Sequence, residues 1–510
     1  MSIALVARLH GLGAPNLWLD EANSWYVAHL SWSGLLRNLR TSPVGPVYFV
    51  VLKLWMTVAG ESEVALRAPS LICSVLLIPL VYALGARTVS HRAALVAAAL
   101  TALSPLHLYF AQEARMYMPL ALLAAATALA YVQWRDSITC ADAGAPSGDH
   151  RALSLYAVLA AAMLGTNVVS APLLVALNID AFLVLWRDLP SAAARRHHVV
   201  AWVGANAAVA GAIIAFGLLL NPHGAAASQA WRGPLGIAGA ARALLGYPVS
   251  AIHGVYYYPD ELARSLAGLR GAPGIATARH LLSLIIAQPL VVAALVVVLA
   301  RAAAAAGRPR ARVLALALIA PIVVGAAISV RQQLDLSRYF LYASTFLYLL
   351  IGAGIARMSR LSGIIALVCM GAAIAEGTVR TFRVGARDSD YRVVARDLVA
   401  RRADVGAVLL QPTEMVEPLT YYLHGKLHLP IRTVAKQAPL GPALARMSNG
   451  PVWLVLDYRS PAYAYSPDML RTALGACIVR DQYDDAGGSG VRLVLVRPAA
   501  DCGQACTTCQ

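Results

Sequence analysis

Apolar runs of about 18–25 residues recur through the first 380 positions of this chain, each long enough to cross roughly 30 Å of hydrocarbon. Backbone amides inside a bilayer must be paired within the segment, so such runs predict packed helices. The many Ala and Gly residues in them let helix backbones approach closely. Spans are expected at 65–85, 93–111, 117–134, 153–167, 169–186, 199–220, 281–300, 312–330, 338–356 and 361–380. Only 13% of the 510 residues are charged, against about 25% in a soluble protein. The segment 46–60 is too short for a comfortable span and carries Lys53 mid-run, so lying along the interface is its other reading.

The net charge of +16 would suggest nucleic acid in a soluble protein. Here the arginines fall in short connections between apolar runs, which is an orientation signal, and no nucleic-acid partner is expected. Arg87, Arg92, Arg135, Arg151, Arg187, Arg195, Arg196, Arg301, Arg308, Arg310, Arg312, Arg357 and Arg360 mark one side, expected to be cytoplasmic. Arg115, Arg331 and Arg338 fall on the other. Residues 1–64, the 221–280 loop and everything after 381 are then expected to be extracytoplasmic, and the high Ala and Arg content suggests a GC-rich bacterial genome, hence a bacterial inner (plasma) membrane. No signal peptide is visible, and the apolar patch Ile3–Leu9 reads as the tail of a truncated first span.

The predicted organisation is a first loop over 1–64 with interfacial helices, a transmembrane helical domain over 65–380 and a small soluble α/β domain over 381–510. In the last, Asp390–Arg402 has helical spacing, and Val405–Leu410, Val452–Leu456 and Val491–Val496 read as strands. Cys73 and Cys369 lie in apolar runs and read as packing residues. Cys502, Cys506 and Cys509 have metal-like spacing but end the chain, and disulfides with Cys477 are an equal reading.

Three polar clusters stand out. Asp20 and Glu21 sit in Leu17-Trp-Leu-Asp-Glu-Ala-Asn-Ser24, beside apolar surface and Trp25. Paired carboxylates there either perform acid–base chemistry or occupy a helix N-terminus, and the residues alone favour neither. Gln112, Glu113, Arg115 and Tyr117 form a knot between two spans, where an Arg suits a phosphate and a Glu–Arg pair suits a helix end. Arg331, Asp335, Arg338 and Tyr339 form a third group, suited to an anion or to interface anchoring. Asp388-Ser-Asp390 is too short a match to carry nucleotide-sugar chemistry, and Arg195–His198 reads as a solvated loop. P-loop, HExxH and dinucleotide fingerprints are missing, which argues against a nucleotide-driven pump or a zinc protease. No cofactor is assigned; the two carboxylates could hold a divalent cation, without a complete ligand set.

In their order along the chain these clusters resemble the GT-C superfamily of integral-membrane glycosyltransferases. The closer likeness is to family 39 and its bacterial relatives, the protein O-mannosyltransferases and the aminoarabinose transferase of lipid A. The matching text is Arg8-Leu-His-Gly-Leu-Gly, Leu17-Trp-Leu-Asp-Glu-Ala, Ser42-Pro43, Pro46-Val-Tyr48, Ala65-Leu-Arg-Ala-Pro-Ser70, Ser104-Pro-Leu-His-Leu-Tyr109, Gln112-Glu-Ala-Arg-Met-Tyr117 and Ser337-Arg-Tyr339. Asp390-Tyr-Arg-Val-Val-Ala-Arg396 and Tyr421-Tyr-Leu423 resemble the start of the family's soluble part. The position usually written His-Pro-Pro reads Val44-Gly-Pro46.

The resemblance implies a GT-C helical bundle, a polyprenyl-phosphate sugar donor and an acidic residue of the first external loop at the active site, which maps to Asp20. The expected reaction is a single displacement with inversion onto a lipid, glycan or protein hydroxyl. Asp20 acts as base with Glu21 beside it. Arg115 and Arg338, with Arg331 or Lys53, receive the phosphate, and Gln112, Glu113, Tyr117, Tyr339 and Trp25 line the substrate. The 221–280 loop, with Trp231 and Tyr256–Tyr258, is expected to cover donor or acceptor. The competing class is a flippase for a lipid-linked sugar. Inverted repeats and acids buried mid-span would favour it, and neither is read in the sequence. A third class is a scaffold whose outer domain binds a partner.

Overall fold

The computed structural model describes residues 1–40, 44–139, 149–187, 192–220, 234–254, 288–306, 309–332, 334–383, 389–402, 406–447, 450–483 and 490–498. Its contacts divide the chain into two compact units: residues 1–12 with 30–383, and residues 13–29 with 384–510.

The first unit is helical. It begins with α1 (Ser2–Leu9) and, after α2 (Leu19–His29) of the other unit, continues with α3 (Trp32–Leu39) and α4 (Pro46–Ala59). Next come α5 (Glu63–Thr88), α6 (His91–Leu103), α7 (Pro105–Ala111) and α8 (Tyr117–Thr139). They are followed by α9 (His150–Thr166), α10 (Ala171–Arg187), α11 (Ala192–Leu220) and α12 (Gly236–His253). The unit closes with α13 (Gln288–Ala306), α14 (Pro309–Ser329), α15 (Leu336–Tyr339), α16 (Leu341–Ile355) and α17 (Arg360–Arg383).

Among the described residues six helices are long and apolar enough to cross a membrane: Glu63–Thr88, Tyr117–Thr139, Val168–Arg187, Arg195–Ala215, Arg310–Ser329 and Arg360–Phe382. This is a multi-pass membrane protein. Of the ten expected spans, 281–300 begins outside the described residues, and two others depart from the expectation for local reasons. The 93–111 run breaks into α6 and α7, bent by 52°. Pro105 offers no N–H to continue α6, and Ser104 caps the new helix, its Oγ accepting from His107 N at 3.1 Å. The 338–356 run breaks after Tyr339, and α16 is then only 15 residues long.

Every residue of α16 is buried. Two glycines on it allow that. A Cβ on Gly352 would lie 2.3 Å from Ala93 O of α6, and one on Gly354 would lie 2.1 Å from Val298 O of α13. Close backbone contact between small residues replaces the hydrophobic drive that lipid removes.

Polar side chains add specific ties. The carboxylate of Asp180 on α10 accepts from Arg312 Nε at 2.7 Å, Tyr131 Oη at 2.8 Å and Arg135 at 3.4 Å. Asp180 is fully buried within a span, which corrects the expectation that no such acid exists. It passed unnoticed as one acid in an apolar run, because its two cations lie on α8 and α14. Nearby, Asn206 Oδ1 accepts from Tyr156 Oη and Asn178 Nδ2, while Trp202 Nε1 donates to Asn178 Oδ1.

Other readings change too. Arg195–His198 belong to α11 rather than to a loop. The 221–280 loop contains α12, whose Gly, Arg242 and Pro248 disguised it; Tyr247 of α12 donates to Phe340 O at 2.7 Å. Trp231 and Tyr256–Tyr258 lie outside the described residues, as do Asp388, Cys140, Cys502, Cys506 and Cys509.

The second unit combines α2 with an α/β sandwich: α18 (Tyr391–Ala400), β1 (Ala407–Gln411), α19 (Val416–Leu423), β2 (Ile431–Thr433), α20 (Leu440–Leu444), β3 (Val452–Asp457), α21 (Pro467–Leu474), β4 (Ala476–Tyr483) and β5 (Val491–Pro498). Strand order is β2-β1-β3-β5-β4, with β2, β1 and β3 parallel and the other pairings antiparallel. The central strands β1 and β3 are buried along their whole length, which is why they read clearly as apolar runs. β2 has three residues and β4 carries the polar run Arg480-Asp-Gln482, so neither stood out. Leu409, Leu454, Leu456, Val494 and Val496 form the core on one face.

Candidate active site

In the membrane unit the polar knot is the turn between α7 and α8. Its shape is set by bonds to elements distant in sequence. Gln112 caps α7, and its Nε2 donates to Arg8 O at 3.0 Å and His10 O at 2.7 Å. Ser70 Oγ donates to Arg115 O at 3.0 Å. The turn thereby places Glu113, Arg115 and Tyr117 in the protein interior.

Arg338 arrives from 221 residues further on, carried by the single turn of α15, where the Asp335 side chain accepts from Arg338 N. Its Nε donates to Tyr117 Oη at 2.5 Å, and its guanidinium carbon lies 5.2 Å from the Tyr117 ring centroid. The Arg115 guanidinium carbon lies 5.9 Å from the same centroid. Tyr339 meets Tyr117 edge to face at 6.3 Å. Two cations therefore share one aromatic ring, each attracted by its electron-rich face. Burial works against the Arg115 charge, but the oxygens of Tyr117, Tyr48 and Tyr339 outweigh it and raise its pKa above the ordinary value.

Tyr48 was absent from the candidate residues. Its sequence signal is its place in Pro46-Val-Tyr48, at the start of the ambiguous 46–60 segment. Arg331 is exposed on the turn after α14 and, among the described residues, joins none of these contacts. Lys53, on α4, donates to Leu30 O at 2.5 Å and lies 5.3 Å from the Trp32 ring centroid.

In the C-terminal unit Asp20 and Glu21 occupy the first turn of α2, where helix-terminal acids are electrostatically favoured. Glu21 is fully buried, whereas Asp20 keeps part of its surface exposed. Trp25, one turn beyond Glu21, is buried among His29, Tyr421 and His424, with ring centroids at 5.1, 5.1 and 5.5 Å. The exposed His29 and His424 rings are 4.7 Å apart and could present nitrogen ligands to a divalent ion.

Comparison with known proteins agrees with this architecture. The family described as dolichyl-phosphate-mannose-protein mannosyltransferase matches residues 42–214. No curated protein matches in sequence. Among solved structures, ArnT from Cupriavidus metallidurans in the apo state is 13% identical with a TM-score of 0.63, covering 98% of this chain and 97% of that one. The same protein bound to undecaprenyl phosphate gives 12% identity and a TM-score of 0.57, with 97% and 96% coverage. The oligosaccharyltransferase AglB from Archaeoglobus fulgidus, in complex with an inhibitory peptide and a dolichol-phosphate, is 13% identical with a TM-score of 0.51, covering 98% and 74%. At these identities the likeness speaks for the fold alone, one this chain shares with ArnT and AglB.

Proposed function

We propose that this GT-C membrane protein is a glycosyltransferase that moves a sugar from a polyprenyl-phosphate donor to an acceptor hydroxyl on the extracytoplasmic side, with inversion. The observation that carries the reading is the convergence of Arg115 and Arg338 on Tyr117 at the edge of the spans. Two guanidiniums beside one ring concentrate positive charge and directed donors, which suits an anionic headgroup. A lipid phosphate is a suitable anion, with its tail in the bilayer and its head at the edge. ArnT and AglB structures that hold undecaprenyl phosphate and dolichol-phosphate point to the same ligand class.

In the proposed reaction the acceptor oxygen attacks the anomeric carbon as its proton passes to Asp20. The bond from that carbon to the phosphate oxygen breaks, and the electron pair leaves on polyprenyl phosphate. Arg115 and Arg338 stabilise the charge that develops there. Tyr117 and Tyr339 hold the guanidiniums, and Gln112 and Glu113 shape the turn that carries Arg115. Glu21 and Trp25 anchor the helix that carries Asp20. Arg331 and Lys53 add positive potential rather than direct contacts. The proposed domain division falls at 64 and 380, and the reacting groups come from the first loop and the helical domain.

The test is Asp20→Asn in membranes, assayed by release of free polyprenyl phosphate from a polyprenyl-phosphate sugar. Turnover should fall by roughly two to four orders of magnitude. Unchanged turnover removes Asp20 from the role of base. A flippase would move the lipid-linked sugar and release no free polyprenyl phosphate.

A further inference from the structure

The C-terminal sheet has a topological switch. From β1 the chain moves to β2 on one side, then returns to the other side of β1 to form β3. In open α/β sheets the crevice at the carboxyl ends of such strands is where ligands are held. Asp457 ends β3 at this edge, and Gln411 ends β1 beside it. The Asp457 carboxylate is fully buried. Its Oδ2 accepts from Ser389 Oγ at 2.5 Å and from Tyr391 Oη at 3.2 Å, and its Oδ1 accepts from Arg459 N at 3.0 Å.

Ser389 in turn receives a segment from the far end of the sequence. Its carbonyl accepts from Asn16 Nδ2 at 2.8 Å. One residue on, Leu17 N donates to Tyr422 Oη at 2.8 Å, and Ala14 O accepts from Arg392 at 3.4 Å. Then α2 begins, and Trp25 packs against Tyr421 of α19 and His424 just after it. Asn16 and Tyr422 are buried, so these bonds form away from competing water. The edge that would suit a small ligand instead grips residues 14–17, three positions before Asp20.

We infer that the C-terminal unit positions the Asp20–Glu21 helix for transfer, through the chain Asp457–Ser389–Asn16 and the bond from Leu17 to Tyr422. Ser389 and Tyr422 are positioning residues, and neither contacts the reacting atoms. The soluble unit thus acts as a clamp on a short stretch of its own chain. This rests on the reading of Asp20 as the base.

The experiment uses the full chain in lipid nanodiscs with Ser389→Ala, Tyr422→Phe and the double variant, beside Asp20→Asn. Amide hydrogen exchange over residues 14–29 is read together with kcat and KM for a polyprenyl-phosphate sugar. Ser389→Ala removes the Oγ bond to Asp457 that fixes the Ser389 carbonyl facing Asn16, and Tyr422→Phe removes the bond to Leu17, so the double variant should speed exchange in that segment and lower kcat about tenfold. KM for the donor should stay within about twofold, because an interaction felt only in the reacting geometry has been lost. Ser389→Thr, which keeps the hydroxyl, should restore kcat. If the double variant fails to fold, each single variant is read in the same way, with an effect of about threefold expected. Unchanged exchange, or unchanged kcat while Asp20→Asn is inactive, overturns the clamp and leaves the proposed reaction standing. Full activity of Asp20→Asn overturns both.

Discussion

Tyr117 presents its ring to two guanidiniums and accepts a hydrogen bond from Arg338. Arg338→Lys keeps the charge but loses the planar fork that can bond the phenol and a phosphate oxygen together. Initial-rate assays should show kcat/KM falling by about ten- to a hundredfold. Tyr117→Phe, which keeps the ring, should cost less than about tenfold. If Arg338→Lys is the milder of the two, the guanidinium does not read the phosphate. A second residue-scale consequence lies in the C-terminal unit. Burial raises the pKa of the Glu417 carboxyl, and the neighbouring Glu414 charge adds to it. The folded protein therefore holds that proton more tightly than the unfolded chain does. Stability is fullest below the ordinary carboxylate value and is lost as pH rises through the folded pKa. Glu417→Gln should raise the thermal midpoint near about pH 7.5 and leave it unchanged near about pH 4. An equal gain at both pH values would mean that the charge is not the cause.

Among elements, α10 carries the clearest stability test. Asp180 is held between Arg135 of α8 and Arg312 of α14. Asp180→Ala leaves those cations without their shared carboxylate and should cost about 3–5 kcal/mol in thermal unfolding of the detergent-solubilised protein. Pairing Asp180→Leu with Arg312→Leu should recover much of that loss, since Arg135 still meets Asp136 at 3.2 Å. No recovery would show the carboxylate to be needed for more than charge balance. The same helix marks where the sequence was readable. Helices and buried central strands announce themselves by local periodicity, so most spans, α18, β1, β3 and β5 were legible. Asp180 depends on partners 45 and 132 residues away, and no window contains them. Arg115 and Arg338 were legible as polar groups interrupting apolar text, but Tyr117 as their common platform was not. Ser389, Tyr422 and Asp457 escaped because a serine, a tyrosine and a strand-end aspartate are ordinary until their long-range bonds are seen.

At the scale of the whole molecule, the order of the chain and the order of its units disagree. Residues 13–29 lie in sequence between two parts of the membrane unit, yet they cluster with residues 384–510. The C-terminal unit is therefore assembled from two segments separated by the entire helical bundle. Loop closure over so long a separation costs entropy before any contact offsets it. The contacts that do so are those of Asn16, Leu17 and Trp25 with Ser389, Tyr422, Tyr421 and His424. A fragment spanning 384–510 lacks α2 and exposes the ring surface that Trp25 covers. Adding a synthetic peptide of residues 13–29 should bind the folded fragment and not the unfolded one, so its thermal midpoint should climb with peptide concentration. Carrying Tyr422→Phe in the fragment should shift that dependence to higher peptide concentration by up to about tenfold. A peptide with Trp25→Ala should shift it further, because a buried aromatic contributes more than one hydrogen bond. A midpoint indifferent to the peptide would place the stability of the α/β unit wholly within residues 384–510. The first-loop helix would then be a passenger on the C-terminal unit rather than a part of its fold.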